Sequence, residues 1–520
     1  MPVVDIVGLP GGAVREARDR IRVAIRNSGL SFPDDRILIN LSPAAVPKRG
    51  SAFDLPLALG VIAASGQVPW DDEVGIMVLG ELTLRGDVRP VHGALAAVST
   101  GLEHGIDRFV VPRSNLAEAQ ALGRGSIVGV DSLTEAVKTL REVRPETWPV
   151  RSGAAADVAV GDFADLRGQD RLKRALQIAA AGRHHALLFG PPGSGKTMAA
   201  RRMPGILPPL SGRQALEVTR VHSVAGTLGA GASLIARPPF RMPHHSASLE
   251  GLIGGGRMQR PGEVSLAHGG VLFLDETPEF RTALLQALRE PLESREVTVV
   301  RAGYSVRYPA GFQLICAANP CPCGNLGRDA AVCLCSPADV HRYWRRLGGA
   351  LLDRIDVRVP VSPPRSEDLQ APASEGSARI ASRVAEAVER QRHRYRAMGW
   401  ERNAELPAGA VEIHCPLDTA GRTALREAVD KLGLSARAYH SIARVARTIA
   451  DLERSDGVTV DHLLEAVHTA ATATATCAGS RCESHGLPEA RLEWLRRNPL
   501  HRLTPGRLPL RCCSSWVRWT

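Results

Sequence analysis

The sequence predicts a multidomain α/β protein in three parts: a mixed α/β N-terminal domain, a core built on a parallel sheet with helices on both faces, and a small all-α region behind it. Three observations carry that prediction. The stretch ALLFGPPGSGKT, Ala186 to Thr197, reads as a buried strand running into a Gly-rich turn. The stretch VLFLDE, Val271 to Glu276, reads as another buried strand, ending in two carboxylates. From about Ser366 onward, strand signals give way to helical apolar periods.

At 520 residues the chain exceeds what one hydrophobic core serves, so several domains are expected. A hydrophobic content of 44% and a mean hydropathy of −0.08 fit an ordinary globular protein. The longest apolar run, Leu55 to Ser65, is bounded by Asp54 and broken by Gly60, too short to span a bilayer. No charged-then-apolar leader precedes it, so the expected location is the cytoplasm, with no membrane partner. The net charge of +11 favours an anionic partner such as nucleic acid, although a merely soluble Arg-rich protein would carry the same excess. Ten cysteines in that compartment point to metal or reduced thiols rather than disulfides.

Residues 1–148 alternate helix and strand signals. Glu16 to Asn27 reads as a helix, Arg36 to Leu41 as a strand and Asp54 to Ala64 as a helix. Strands follow within Gly75 to Leu84, then a helix over Val91 to Gly105 and a strand at Arg108 to Val111. The mixture predicts a compact α/β sandwich. Two phrases, PKRGSAFDLPLAL (Pro47 to Leu59) and LGELTLRGDVRPVHGALAAV (Leu79 to Val98), resemble the protease domain of the Lon family. That resemblance implies a Ser–Lys dyad at positions that here hold Ala52 and Leu95. Neither side chain can be a nucleophile or a base. Ser51 and Lys48 lie nearby, but a shifted Ser without its Lys reads as a surface turn. A protease-like fold without proteolysis is expected. Residues 149–162, small and aperiodic, read as a linker.

The core, 163–362, opens with FADLRGQDRLKRALQ, a turn and an amphipathic helix whose "LRGQ" resembles the entry to AAA+ ATPase cores. Gly190, Pro191, Pro192, Gly193, Ser194, Gly195, Lys196 and Thr197 complete the pattern G-x-x-x-x-G-K-[ST]. Small residues let backbone N–H groups turn inward around phosphates, and the helix N-terminus adds its positive end. Lys196 is placed to reach the β- and γ-phosphates and Thr197 to offer its hydroxyl to Mg²⁺, so ATP and Mg²⁺ are the expected cofactors. Asp275 is placed to hold Mg²⁺, and Glu276 to deprotonate the attacking water. The strand Phe312 to Ala318 delivers Asn319 to the position where AAA+ enzymes keep a polar sensor. In LLDRID, Arg354 takes the place of an arginine finger, acting on the neighbouring subunit. The lid, 363–470, reads as helices over Ser377 to Met398, Leu417 to Lys431, Ser435 to Glu453 and Val460 to Ala470. There Arg437, just after the capping Ser435, resembles the second sensor arginine of AAA+ lids.

Taken in order, these motifs and the CPCG cysteine cluster resemble the YifB/ComM family of magnesium-chelatase-like AAA+ ATPases, from about Val7 to Ala470. The resemblance implies a hexameric ring that hydrolyses ATP and acts on single-stranded or branched DNA, as a branch-migration helicase in natural transformation. It also implies a further strand-forming segment before VGLPGGAVREARDR, so the N-terminal sheet is expected to be short of strands. Residues 471–520 depart from the family, hold four of ten Cys and three of seven Trp, and are expected to be disordered.

Two features remain. The 73 residues from Met198 to Gly270 leave room for an inserted hairpin, placed at Thr227 to Arg237. A second hairpin, Glu296 to Tyr308, turns at Ala302-Gly303, with Arg301 near its tip and Tyr304 and Arg307 on the returning arm. In a ring these hairpins would face the pore, where Arg suits phosphates and Tyr suits base stacking; solvated Arg on an exposed hairpin is the plainer alternative. Cys321, Cys323, Cys333 and Cys335 form C-x-C-x₉-C-x-C, which suits a tetrahedral Zn²⁺ site or four reduced thiols. His244 and His245 read as structural or nucleotide-proximal rather than as metal ligands. Two other functions stay open, a metal-chelatase motor subunit and a protein-remodelling regulatory ATPase. The Lon-type domain and the lack of an acidic integrin-like segment argue against the first.

Overall fold

The computed structural model describes the chain apart from residues 1–3, 45, 47, 49, 69–74, 142–160, 230, 232–233, 257–258, 302–303, 327, 329–330, 371, 373–374 and 472–520. The expected linker at 149–162 lies almost wholly outside the described residues, and so does the tail after residue 471. The chain forms two compact units, Met1–Asp157 with Leu210–Ala236, and Val158–Pro209 with Arg237–Thr520.

In the first unit the helix Gly12–Asn27 buries Val14, Ala17, Ile21, Ala24 and Ile25, one stripe at three- and four-residue steps. The helix Asp54–Ala64 has the bounds expected and is apolar nearly all round, so it runs through the core instead of along it. Strand Val4–Val7 pairs parallel with Ile37–Asn40, and Arg108–Pro112 lies between Ile76–Val78 and Ser126–Val130 in a parallel three-stranded sheet. Asp54 is fully buried, and Arg20 donates to both its oxygens at 2.9 and 3.0 Å. Burial pushes the Asp54 carboxyl above its usual range against the pull of Arg20.

Of the two residues beside the dyad positions, Ser51 lies at a turn as expected but is half-buried, whereas Lys48 is buried. Leu95 is fully buried, and the Ser51 hydroxyl donates to the Glu81 carboxylate. Lys48 is buried, and its ammonium donates to the carbonyls of Gly8 (3.2 Å), Leu41 (2.8 Å) and Pro43. It ties its own loop to the turn at Gly8, and three carbonyls are the usual way to satisfy a buried cation.

The hairpin expected at Thr227–Arg237 is corrected: the described residues there carry no strand. The segment just before it is a helix, Gly212–Ala225, started by a Ser211–Gln214 capping box. It belongs to the first unit, where Gly93 N–H donates to Ser223 O at 3.0 Å. Two glycines, Gly229 and Gly231, leave the segment after it too little side-chain surface for a strand pair.

The second unit is built on one all-parallel sheet. Its strands are β1 (Ala186–Phe189), β2 (Phe240–Arg241), β3 (Val271–Leu274), β4 (Gln313–Ala318) and β5 (Val357–Pro360), in the order β5-β1-β4-β3-β2. All of β1, β3 and β4 is buried, as expected of parallel strands covered on both faces. Leu188, Phe273, Ile315 and Ala317 face a core shared with helix Asp170–Gly182 and the lid residues Ile380, Val384, Ile442, Ile449 and Leu463. Leu187, Leu272, Leu314 and Cys316 face the other way, onto Leu284, Leu288, Trp344 and Leu351. The lid therefore completes the core of the sheet, with no break at residue 362. Its α-helices among the described residues are Ser366–Gln370, Ser377–Tyr395, Ala408–His414, Thr419–Leu432, Ala436–Leu452 and Val460–Ala471; the first and third of these were not expected. No helix among the described residues is long and apolar enough to cross a membrane.

Candidate active site

The expected phosphate loop Gly190–Thr197, Asp275 and Asn319 follow the carboxyl ends of three strands that lie side by side, β1, β3 and β4. Ligands of open parallel sheets bind in that crevice. Gly190 sits so close to Val361 O that a Cβ would lie 2.0 Å from it. Gly193 and Gly195 take left-handed φ values of +77° and +91°, the bend that turns the loop back on itself. The buried Ser194 hydroxyl has no partner, while Gln169 Nε2 donates to Ser194 O at 3.3 Å and to Ser362 O at 2.7 Å. Gln169, the last residue of "LRGQ", is thus a brace for the loop.

Lys196 is 7% exposed, and its ammonium donates to Gly190 O (2.6 Å), Pro191 O (2.9 Å) and Asn319 Oδ1 (3.3 Å). Burial pushes its pKa down to about 8, against the pull of Asp275 and Glu276. A cation held by neutral oxygens in a glycine cradle fits a phosphate chain. Thr197 Oγ1 donates to Asp275 Oδ2 at 2.7 Å, which sets the two expected Mg²⁺ ligands against each other. Hydroxyl and carboxylate oxygens form the donor set that Mg²⁺ prefers.

Glu276 has a left-handed backbone, φ 48° and ψ 45°, which is uncommon for a residue with a Cβ. Its N–H donates to Asp275 Oδ1 at 3.0 Å, Glu279 N–H donates to its carbonyl at 2.7 Å, and its side chain is exposed. The turn therefore presents the carboxylate beyond the strand end, where a water could reach it. Asn319 joins the loop through Lys196, and its backbone N–H donates to the Tyr343 hydroxyl.

Arg354 and Arg437 form a separate cluster. Arg354 is 9% exposed and donates to Glu293 and to Ala350 O, and its buried Nε has no partner. Arg437, about half exposed, lies 3.6 Å from the same Glu293 carboxylate oxygen. Both arginines line a cavity with Arg183, Arg295 and Arg444, and no residue of the phosphate loop lines it.

Beneath Arg354, Asp356 is a residue whose role sequence reading missed. It accepts from Ser441 and meets His184 Nδ1 at 3.0 Å, and His184 Nε2 meets the lid's Thr448 Oγ1 at 2.8 Å. Burial works against its charge, but His184, Arg444 and Ser441 override that and hold the carboxyl well below its usual range. The network bolts sheet to lid.

The rings of His244 and His245 lie 4.1 Å apart, tilted by 34°, and His245 meets Phe280 edge-on at 6.5 Å, apart from the cysteine cluster. The hairpin over Glu296–Arg301 and Tyr304–Pro309 has the expected register, with Arg301 paired to Tyr304 across the turn. Val297 and Val299 are buried on one face, and Thr298, Val300 and Arg307 are exposed on the other.

The chain is similar to known proteins over most of its length. The family described as "Magnesium chelatase, subunit ChlI" matches residues 162–369, "Subunit ChlI of Mg-chelatase" residues 1–115, and "Magnesium chelatase, subunit ChlI C-terminal" residues 374–469. An uncharacterized protein of Mycobacterium tuberculosis is 42% identical over 468 residues, 90% of this chain and 93% of that one. The protein YifB of Salmonella typhimurium is 41% identical over 469 residues, 90% and 91% of the two chains. The competence protein ComM of Haemophilus influenzae is 39% identical over 476 residues, again 90% and 91%.

Proposed function

Since the chain belongs to the YifB/ComM family of magnesium-chelatase-like AAA+ proteins, we propose that it is a ring-forming ATPase that drives branched or single-stranded DNA, as in branch migration. The observation that carries this reading is the division of the site. Lys196, Thr197, Asp275 and Asn319 meet at the strand ends, while Arg354 and Arg437 gather on Glu293 away from them. A site with its transition-state cations in a second place suits a ring, in which one subunit's arginines serve the next subunit's nucleotide.

In this mechanism Lys196 exchanges its carbonyl partners for the β- and γ-phosphates. Glu276 accepts the proton of the attacking water, and Asn319 orients that water. Mg²⁺ bound by Thr197 and Asp275 would supply positive charge opposite the phosphates. Arg354 leaves Glu293 to meet the γ-phosphate across the interface. On the hairpin Arg301, Tyr304 and Arg307 are the proposed DNA contacts, supported by the net charge of +11, by the place of Arg301 and Tyr304 next to the turn, and by the exposure of Arg307.

The test is the ATPase rate of the purified chain with and without single-stranded and forked DNA. Stimulation by DNA, lost in Arg301→Ala with basal hydrolysis kept, supports the reading. ATP hydrolysis indifferent to every DNA form would favour a chelatase-like or protein-remodelling motor.

A further inference from the structure

The four clustered cysteines bring their sulfurs within 4.8 Å of one another. Cys321 Sγ lies 3.4 Å from Cys323 Sγ and 3.7 Å from Cys333 Sγ, and Cys323 Sγ lies 3.6 Å from Cys333 Sγ. A disulfide would need about 2.05 Å. Four thiolates at about 2.3 Å from a tetrahedral Zn²⁺ stand about 3.8 Å apart, the edge of a tetrahedron of that radius. The spacing matches the second arrangement.

Every sulfur also faces a backbone N–H: that of Leu326 for Cys321 (3.4 Å), Asn325 for Cys323, Cys335 for Cys333 and Cys323 for Cys335. Such donors are what negative metal-bound thiolates require around them. Val332 and Leu334, which alternate with Cys333 and Cys335, are 78% and 89% exposed. The four sulfurs turn toward one another, with Cys321 buried, Cys333 and Cys335 half-buried and Cys323 exposed, while large apolar side chains beside them face water, which hydrophobic burial alone would not select.

The cluster abuts the ATP site at two points. Cys321 stands two residues beyond Asn319, whose side chain accepts from Lys196 at 3.3 Å. Between them, Pro320 O accepts from Trp344 Nε1 at 3.1 Å. Gly324, with a left-handed φ of +76°, presses on the phosphate loop: a Cβ there would lie 2.7 Å from Pro192 Cγ.

We propose that the four cysteines hold one Zn²⁺ per chain, and that this metal fixes Asn319 and Pro192 so that Zn²⁺ and nucleotide each strengthen the binding of the other. The coupling rests on the reading of Gly190–Thr197 as the ATP site; the metal site does not. Coupling between two binding sites is reciprocal, so it can be read from either side.

The experiment uses the full chain purified without added metal. Zinc and iron are measured by elemental analysis, and zinc loss to a chromogenic chelator is followed with and without a non-hydrolysable ATP analogue. The expected result is one zinc per chain, negligible iron, and zinc held about tenfold more tightly when the analogue is bound, within the usual range for coupled sites. Cys335→Ser should lose the zinc and bind the analogue about tenfold more weakly. Lys196→Ala should keep the zinc but lose the analogue's effect on it. Absence of zinc, or iron in its place, overturns the metal site. Zinc whose loss ignores an analogue that demonstrably binds overturns the coupling alone. A wild-type chain that binds no analogue overturns the ATP site instead. The chelation arm needs no variant, so misfolding of Cys335→Ser cannot obscure the answer.

Discussion

Around the phosphate loop one cation, Lys196, is held by neutral oxygens, whereas at Glu293 two cations, Arg354 and Arg437, share a carboxylate. The first arrangement leaves a positive charge for an incoming anion to neutralise, and burial has already pushed Lys196 down to about 8. The second neutralises its arginines within the chain, so an incoming phosphate must displace Glu293 to reach them. If the two clusters are halves of one shared site, as proposed above, a lone chain prepares the first half and keeps the second in store.

The largest effect expected is at the prepared half. Lys196→Ala should abolish nucleotide binding, while Glu276→Gln should bind normally and lose roughly 10³-fold or more in hydrolysis. Fluorescent-nucleotide titration beside steady-state turnover separates the two. Equal loss of affinity in both variants would erase the assigned roles.

A smaller effect sharpens the same contrast through pH. Phosphates around Lys196 raise its pKa, so binding takes up a proton wherever the free site has lost it. Below pH 8 the ammonium is present in both states and affinity should be flat in this group. Above about 8 affinity should fall by up to about tenfold per pH unit, as one linked proton dictates. Calorimetry in buffers of different ionisation enthalpy at pH 9 should detect that proton; zero uptake would mean Lys196 is not the phosphate cation.

The smallest effect lies at the stored half. Glu293 is 54% exposed on its side chain, so its ion pairs are screened and weak. Glu293→Gln should leave nucleotide affinity unchanged and raise turnover of the assembled protein about threefold, by freeing Arg354 from a partner of the kind surface pairs provide. Falling turnover would show that Glu293 helps position Arg354 for reaction.

How much of this was legible follows from distance along the chain. Gly190 to Thr197, Asp275 and Asn319 were readable because strand, turn and polar residue are consecutive. The hairpin was readable because alternation from Glu296 fixes which residue opposes which, and its register came out as expected. Asp356 was not, since its partners His184 and Ser441 are 172 and 85 residues away and each looks ordinary alone. Lys48 misled for a related reason: only the fold brings Gly8, Leu41 and Pro43 around it. The stretch TLGAGASLIAR suggested a hairpin by its place between motifs, although its glycines already argued against strands. The sharing of Glu293 by Arg354 and Arg437 joins residues 61 and 144 positions apart, and no local pattern announces it.

The central claim is that a working site needs Arg354 from one subunit and Glu276 from another, and mixing two dead variants tests it most directly. Arg354→Ala alone should bind ATP but lose roughly 10³-fold in hydrolysis, with or without DNA. Mixed with Glu276→Gln after confirmed co-assembly, it should regain a measurable fraction of wild-type turnover, because some interfaces then pair an intact Glu276 with an intact Arg354. A mixture that co-assembles and stays inactive would contradict the divided site.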